Sequence, residues 1–271
     1  MAGNISVTPG KIFASLSFAA MVTVNALANI LPINGIGTGA VSDSYPNLFA
    51  PAGITFAIWG LIYLLLLFYS VYQFGAFAAK DGQGLNAAGT LIKRISTLFT
   101  ISSLANAVWI FSWHYAIIGL SLLLMIVILI CLILIIENIN KADLSLNDKA
   151  LIRLPFSVYF GWITVAAIAN ATTLLVDIGW DGFGVAENIW TAVIISVGLL
   201  IAAATMIKHR DIAYGLVIVW AYAGILIKHL SGTGFAGKYP EIIVTVIVCI
   251  ALLVVASVYI LLANTKKNTA K

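Results

Sequence analysis

The sequence predicts an all-α, polytopic membrane bundle of eight transmembrane helices, and three observations carry that expectation. Of 271 residues, 62% are hydrophobic and only 9% charged, against about 25% charged in a soluble domain, and the mean hydropathy is +1.08. The few charges fall between apolar runs long enough for a hydrocarbon core of about 30 Å, which takes roughly 20 helical residues. Finally, the cations collect on alternate loops, as a correct span count requires.

The first run, Lys11–Leu31, contains Ala26-Leu27-Ala28, a small-x-small sequence of the kind a signal peptidase cuts. The apolar stretch continues past it to spanning length, so it is read as a retained helix. Loop 1, Pro32–Gly53, is the longest connection, and Pro32, Gly35, Gly37, Gly39, Pro46 and Pro51 argue against helix there. A connection of this length is a candidate lid or binding loop. Ile54–Phe77 and Ile95–Trp113 are the second and third spans. In the fourth, Ala116–Ile136, the stretch Ser121–Ile136 has none of the polar alternation of a barrel strand. Leu154–Val176 is the fifth. An acidic, glycine-containing loop, Asp177–Glu187, then leads to Asn188–Ile207, Ile212–Ile227 and Glu241–Leu262. Residues 1–180 are thus expected to form a five-helix unit and 181–271 a three-helix extension with a short tail.

With eight spans, both termini share a side with loops 2, 4 and 6, and that side holds twelve of the fourteen Lys and Arg. Only Lys228 and Lys238 lie opposite, while Asp and Glu divide five to five, so the bias comes from cations alone. Both termini are therefore expected on the cytoplasmic face of a cytoplasmic-type membrane, with loop 1 outside. A net charge of +4 spread over short loops makes no basic stripe, which argues against a nucleic-acid partner. Cys131 and Cys249 lie within apolar runs, so neither a disulfide framework nor a thiolate site is expected. His114, His209 and His229 occupy separate span ends, are read as solvated or interfacial, and lack the i, i+4 spacing of a helical metal site. Lys228 is read as snorkelling outward, and Glu241, after Pro240, as complementing a helix N-terminus.

Three stripes inside the spans carry the candidate chemistry. Phe56, Trp59 and Tyr63 stand at i, i+3 and i+7; Asn106, Trp109 and Trp113 repeat the spacing in the third span; Tyr159, Trp162, Ala166 and Asn170 follow at i, i+3, i+7 and i+11 in the fifth. Each set shares one helix face. Singly, an intramembrane Asn reads more readily as an interhelical tie, and a Trp or Tyr as an interface anchor. Together they read as walls of one site: ring faces for a flat apolar ligand, small Ala166, Ala167 and Ala169 for close approach, and amides for a polar edge.

The run Pro51-Ala52-Gly53-Ile54-Thr55-Phe56-Ala57-Ile58-Trp59 with Tyr63, then Asn106-Ala107-Val108-Trp109, then Tyr159, Trp162, Ala166 and Asn170, in that order after a lone span and a Pro/Gly-containing loop, resembles one family. It is the translocator proteins, or tryptophan-rich sensory proteins (TspO/MBR, peripheral benzodiazepine receptor-like). The resemblance covers about Lys11–Val176, with two departures: Pro51-Ala52 stands where the family has two prolines, and the Phe before the helix-2 Trp is displaced by one residue. It implies a five-helix core, to which the last three spans are additions. Under loop 1 it implies an aromatic pocket for a porphyrin, other tetrapyrrole or sterol-like ligand, in a sensor or translocator. Pro51, Phe56, Trp59, Tyr63, Asn106, Trp109, Trp113, Tyr159, Trp162, Ala166 and Asn170 would form that site. No cofactor is required; porphyrin or haem would enter as ligand. The expected partners are a small hydrophobic ligand and membrane lipid, with the oligomeric state, a homodimer included, left open. A secondary transporter built on all eight spans is the alternative, and it calls for helices broken at midspan. A lipid- or tetrapyrrole-modifying enzyme calls for a carboxylate or histidine constellation, which the sequence does not offer.

Overall fold

The computed structural model describes residues 8–77 and 84–269, which carry no β-strand. Eight helices among them are long and apolar enough to cross a membrane. By span they are α1 Pro9–Ile30, α2 Ile58–Tyr72, α3 Gly84–His114, α4 Ile118–Asn140, α5 Leu154–Asp177, α6 Glu187–His209, α7 Ile212–Leu230 and α8 Pro240–Thr269. Lys80 and Lys271, counted in the charge bias, lie outside the described residues.

Local chemistry sets the helix ends. Pro9 opens α1, where its missing N–H forfeits no helical bond. A 3-10 turn, Gly53–Ala57, leads into α2, which stops at Tyr72, short of the expected Phe77. Ser145 and Asp148 form a reciprocal capping box, and the π turn Lys149–Arg153 then feeds α5. Arg210, at a left-handed φ of 50°, closes α6, and Asp211 caps α7 by accepting from the Tyr214 N–H at 3.0 Å. These irregular turns sit at span ends, so the described spans run unbroken through their middles.

Loop 1 departs from expectation. Thr38–Asp43 is a short helix and Ile33–Gly35 a 3-10 turn. Gly37 precedes the short helix as its N-cap, and Pro46 and Pro51 follow it. Gly35 and Gly39 lie within these turns, and the other breakers flank them, so none of the six forbids helix here.

Between helices in lipid the drive is packing and not hydrophobic burial, so small residues decide where backbones meet. α5 is the centre: 67% of its most apolar window is buried, against 28% for α6 and for α8. It packs on α4, α2 and α7; α3 joins α4 to α1, and α8 joins α7 to α6. Gly161 lets α5 and α7 touch, since a Cβ there would lie 2.8 Å from the Tyr214 carbonyl oxygen and 2.9 Å from the Val217 Cβ. Through α7, the last three helices are joined to the same helix that carries the Tyr159–Asn170 stripe.

Candidate functional site

Two aromatic groups fill the space between α2, α3 and α5. Tyr69, Phe99 and Phe156 meet edge to face, with centroids 4.8 to 5.4 Å apart. The other group is the one the stripes predict, and Trp59 is its hub. Its ring stacks on Tyr63 at 5.5 Å and lies 6.0 Å from Trp109, 6.1 Å from Tyr159 and 6.1 Å from Trp162. Trp113 stacks on Trp109 at 5.9 Å, and Phe56 meets the edge of Trp162 at the same separation.

These rings leave a small cavity of about 30 Å³, lined by Pro51, Phe56, Trp59, Trp109, Trp113 and Trp162 with Ala166 and Asn170. Eight of the eleven predicted site residues therefore share one wall, joined by Ser42, Val165 and Ala169. Tyr63, Asn106 and Tyr159 do not line it. Tyr63 instead borders a cleft of about 310 Å³ between α1, loop 1 and α2, which shares Phe56 and Trp59 with the cavity. Its phenol oxygen is buried and has no hydrogen-bond partner.

The two amides are interhelical ties. Asn106 is fully buried; its carbonyl accepts from Asn25 Nδ2 at 2.8 Å and its own Nδ2 donates to the Tyr159 hydroxyl at 3.2 Å. Asn170 Oδ1 accepts from Trp109 Nε1 at 3.3 Å and from Ser121 Oγ at 2.5 Å, while its Nδ2 donates to the Ala166 carbonyl at 3.0 Å. An unpaired amide in hydrocarbon costs several kcal/mol, and here the partners belong to α1, α3, α4 and α5. Asn25 and Ser121 were missed in the sequence. The signal was present, because a buried Asn requires a polar partner and Asn25, with Asn29 one turn on, is an amide within an apolar run.

One polar atom in the wall has no such partner. Trp162 is buried, and its Nε1–H finds no acceptor among the described residues.

Loop 1 covers the site and is fastened on two sides. Toward α3, Trp113 Nε1 donates to the Thr38 carbonyl at 3.1 Å and Asn34 Nδ2 to the His114 carbonyl at 3.0 Å. His114 Nδ1 lies 3.0 Å from the Ile33 carbonyl and Nε2 3.0 Å from Thr38 Oγ1. A carbonyl only accepts, so Nδ1 is the donor to Ile33. Toward α7, the Ala52 N–H donates to the Gly224 carbonyl at 3.0 Å, His229 Nε2 to the Leu48 carbonyl at 2.9 Å, and Lys228 Nζ meets Asp43 at 2.5 Å. The expectation that His114 and His229 are solvated is therefore overturned: they are 2% and 0% exposed. Span-end positions look interfacial in sequence, but loop 1 folds back over both. Lys228, read as snorkelling, is held in an ion pair across the same seam.

α7 also reaches the lead-in to α2. Trp220 Nε1 donates to the Thr55 carbonyl at 3.0 Å, and a Cβ on Gly224 would fall 2.0 Å from Thr55 Oγ1. Among the described residues no group of three His, Cys, Asp or Glu is placed to hold a metal ion.

A family described as TSPO-like protein matches residues 11–259. The chain belongs to this family. The match runs through α6, α7 and most of α8, so the family likeness is not confined to the first five spans of this TSPO-like protein. No curated protein and no solved structure matches the chain significantly. Family and fold together make it an integral, multi-pass membrane protein.

Proposed function

We propose that this TSPO-like protein binds a flat hydrophobic ligand, a porphyrin-type tetrapyrrole or a sterol-like molecule, in the aromatic site beneath loop 1, and acts as a sensor or translocator. Loop 1 faces outward and both termini face the cytoplasm. The observation that carries this reading is the Trp162 Nε1–H, buried in the wall of an aromatic cavity with no acceptor of its own. A stranded buried donor costs about 1–3 kcal/mol, which a ligand carbonyl or carboxylate at that point recovers. The surrounding indole and phenyl faces supply the apolar contact, at about 0.5–1.5 kcal/mol per ring pair beyond area burial.

A cavity of about 30 Å³ holds roughly one water, so a macrocycle enters only if the walls part. Phe56 and Trp59 stand between this cavity and the larger cleft beside α1. Rotation of those two rings merges the spaces and gives access from the lipid side. Binding is then coupled to movement of the Gly53–Ala57 turn, which is the kind of displacement a sensor or translocator transmits.

The test is a titration of the full chain in lipid nanodiscs with protoporphyrin IX, following tryptophan emission. Saturable quenching at roughly micromolar ligand, equivalent to about −8 kcal/mol, is expected. Trp162→Phe, which keeps an aromatic ring but removes the N–H together with part of the indole face, weakens binding by at least about tenfold, of which one hydrogen bond of about 1.4 kcal/mol accounts for a factor of ten. Quenching that rises linearly without saturation, equally in both proteins, contradicts the proposal.

A further inference from the structure

We infer that the cleft between loop 1, loop 5 and the start of α6 is a second binding site, for an organic cation carrying an apolar body. It shares no lining residue with the aromatic cavity under loop 1. Its volume is about 410 Å³, within the range of about 300–1,000 Å³ of small-molecule pockets.

The walls are two tryptophans. Trp180 and Trp190 stand with centroids 5.2 Å apart at 57°. Trp190 is fixed by its Nε1–H, which donates to the Gly182 carbonyl at 2.7 Å. Gly182 has a φ of +67°, and a Cβ there would lie 3.0 Å from the indole, so a larger residue would push the ring aside. With its N–H engaged by the Gly182 carbonyl, Trp190 has no donor left to offer the cleft. The floor is apolar, made by Phe49, Leu175 and Ile194.

The rim is acidic. Asp181 and Glu187 both line the cleft, and none of the lining residues is Lys, Arg or His. Each carboxylate is anchored by the backbone, Asp181 Oδ1 accepting from the Phe183 N–H at 2.9 Å and Glu187 Oε1 from the Leu48 N–H at 3.1 Å. Those bonds hold the carboxylates in place without neutralising them. Lys228, the α7 cation that meets loop 1, pairs with Asp43 and does not line the cleft.

A neutral ligand would gain from the floor and nothing from the rim, and an anion would be repelled by it. An ammonium with an apolar substituent satisfies all three surfaces: cation against indole faces, where tryptophan is the strongest partner, charge against carboxylates, and body against the floor. Two sources offer this chemistry at an outer membrane surface, the choline or amine headgroup of a lipid and a free organic cation.

The full chain, labelled with 5-fluorotryptophan and held in phosphatidylglycerol nanodiscs, is titrated with benzyltrimethylammonium, the resonances being assigned with Trp180→Phe and Trp190→Phe. Saturable shifts confined to Trp180 and Trp190 are expected. Neopentylbenzene, the neutral isostere, binds at least tenfold more weakly. Asp181→Asn with Glu187→Gln, which keeps the acceptors for Phe183 and Leu48 and removes both charges, weakens the cation at least tenfold and leaves protoporphyrin binding unchanged. Equal affinity for the isostere, or a doubly neutralised protein that binds the cation as before, overturns the inference. Repeating the titration in discs of equal phosphatidylglycerol content, so that the surface charge is constant, with the remaining lipid either phosphatidylcholine or a neutral glycolipid, assigns the source: a weaker apparent affinity with phosphatidylcholine identifies the lipid headgroup as the competing occupant, and an equal one identifies the soluble cation.

Discussion

Gly224→Ala tests whether α7 holds the lead-in to α2. The new methyl would sit 2.0 Å from Thr55 Oγ1, 2.7 Å from its Cγ2 and 2.9 Å from its Cβ. Thr55 has little room to yield, being 1% exposed and stiff at χ1 through β-branching. Its backbone is pinned as well, because Trp220 donates to its carbonyl and Ala52 bonds the Gly224 carbonyl itself. Overpacking of this kind costs about 1–3 kcal/mol. Thr55→Ala removes a buried hydroxyl that has no partner, so loss of the methyl is offset by relief of the unsatisfied group and stability stays within about 1 kcal/mol of wild type. Combining the two removes the closest clashes and leaves the 2.9 Å Cβ approach. The double variant should therefore recover part of the loss, with a coupling energy of at least about 1 kcal/mol. Gly60→Ala is the control, since nothing lies within 4 Å of a Cβ there. Unfolding in mixed micelles, followed by tryptophan emission, reads all four stabilities. The reasoning fails if Gly224→Ala is no worse than Gly60→Ala, or if the Gly224 and Thr55 effects add to within about 0.3 kcal/mol.

Asn170→Leu removes the acceptor shared by Trp109 and Ser121 and should destabilise by about 1–3 kcal/mol in the same unfolding assay. Asn138→Leu, whose amide bonds only the carbonyl of Leu134 in its own helix, should be nearly neutral, and equal losses would show that the α3–α4–α5 tie has no special weight. For topology, Ser44→Cys and Leu146→Cys are placed separately in a background lacking Cys131 and Cys249. Ser44 and Leu146 are both exposed, the latter at 85%. An impermeant thiol reagent applied to intact cells should label the first alone, and labelling at position 146 from outside would reverse the orientation.

Much of the fold was legible because a bilayer imposes one length on every helix: eight apolar runs and a cation bias sufficed for the span count. Helix ends were less legible. α3 begins at Gly84 and not near Ile95, since helices extend past the hydrocarbon, where hydropathy carries no signal. Within the site, spacing put Trp59, Trp109 and Trp162 each on the stripe face of its own helix, while the meeting of the three faces is a tertiary fact that the family resemblance implied. Whether Asn106 points into the cavity or behind it depends on the partner on α1, a long-range fact. So does the tightness of the cavity, which follows from how far four tryptophan rings interpenetrate. The contact of Gly224 with Thr55 joins residues 169 positions apart, and nothing local to either announces it. The burial of His114 and His229 likewise follows from the path of loop 1 and not from their own surroundings in the chain.

The most direct test of the proposed ligand site fills it. Ala166 lines the cavity beside Trp162, and Ala166→Phe places a ring in the space a ligand must take. In a protoporphyrin IX titration of the full chain in nanodiscs, beside an unfolding curve for each protein, the account predicts saturable binding by wild type and a loss of at least tenfold in Ala166→Phe at comparable stability. A stable Ala166→Phe protein that binds protoporphyrin as tightly as wild type would place the ligand elsewhere and contradict it.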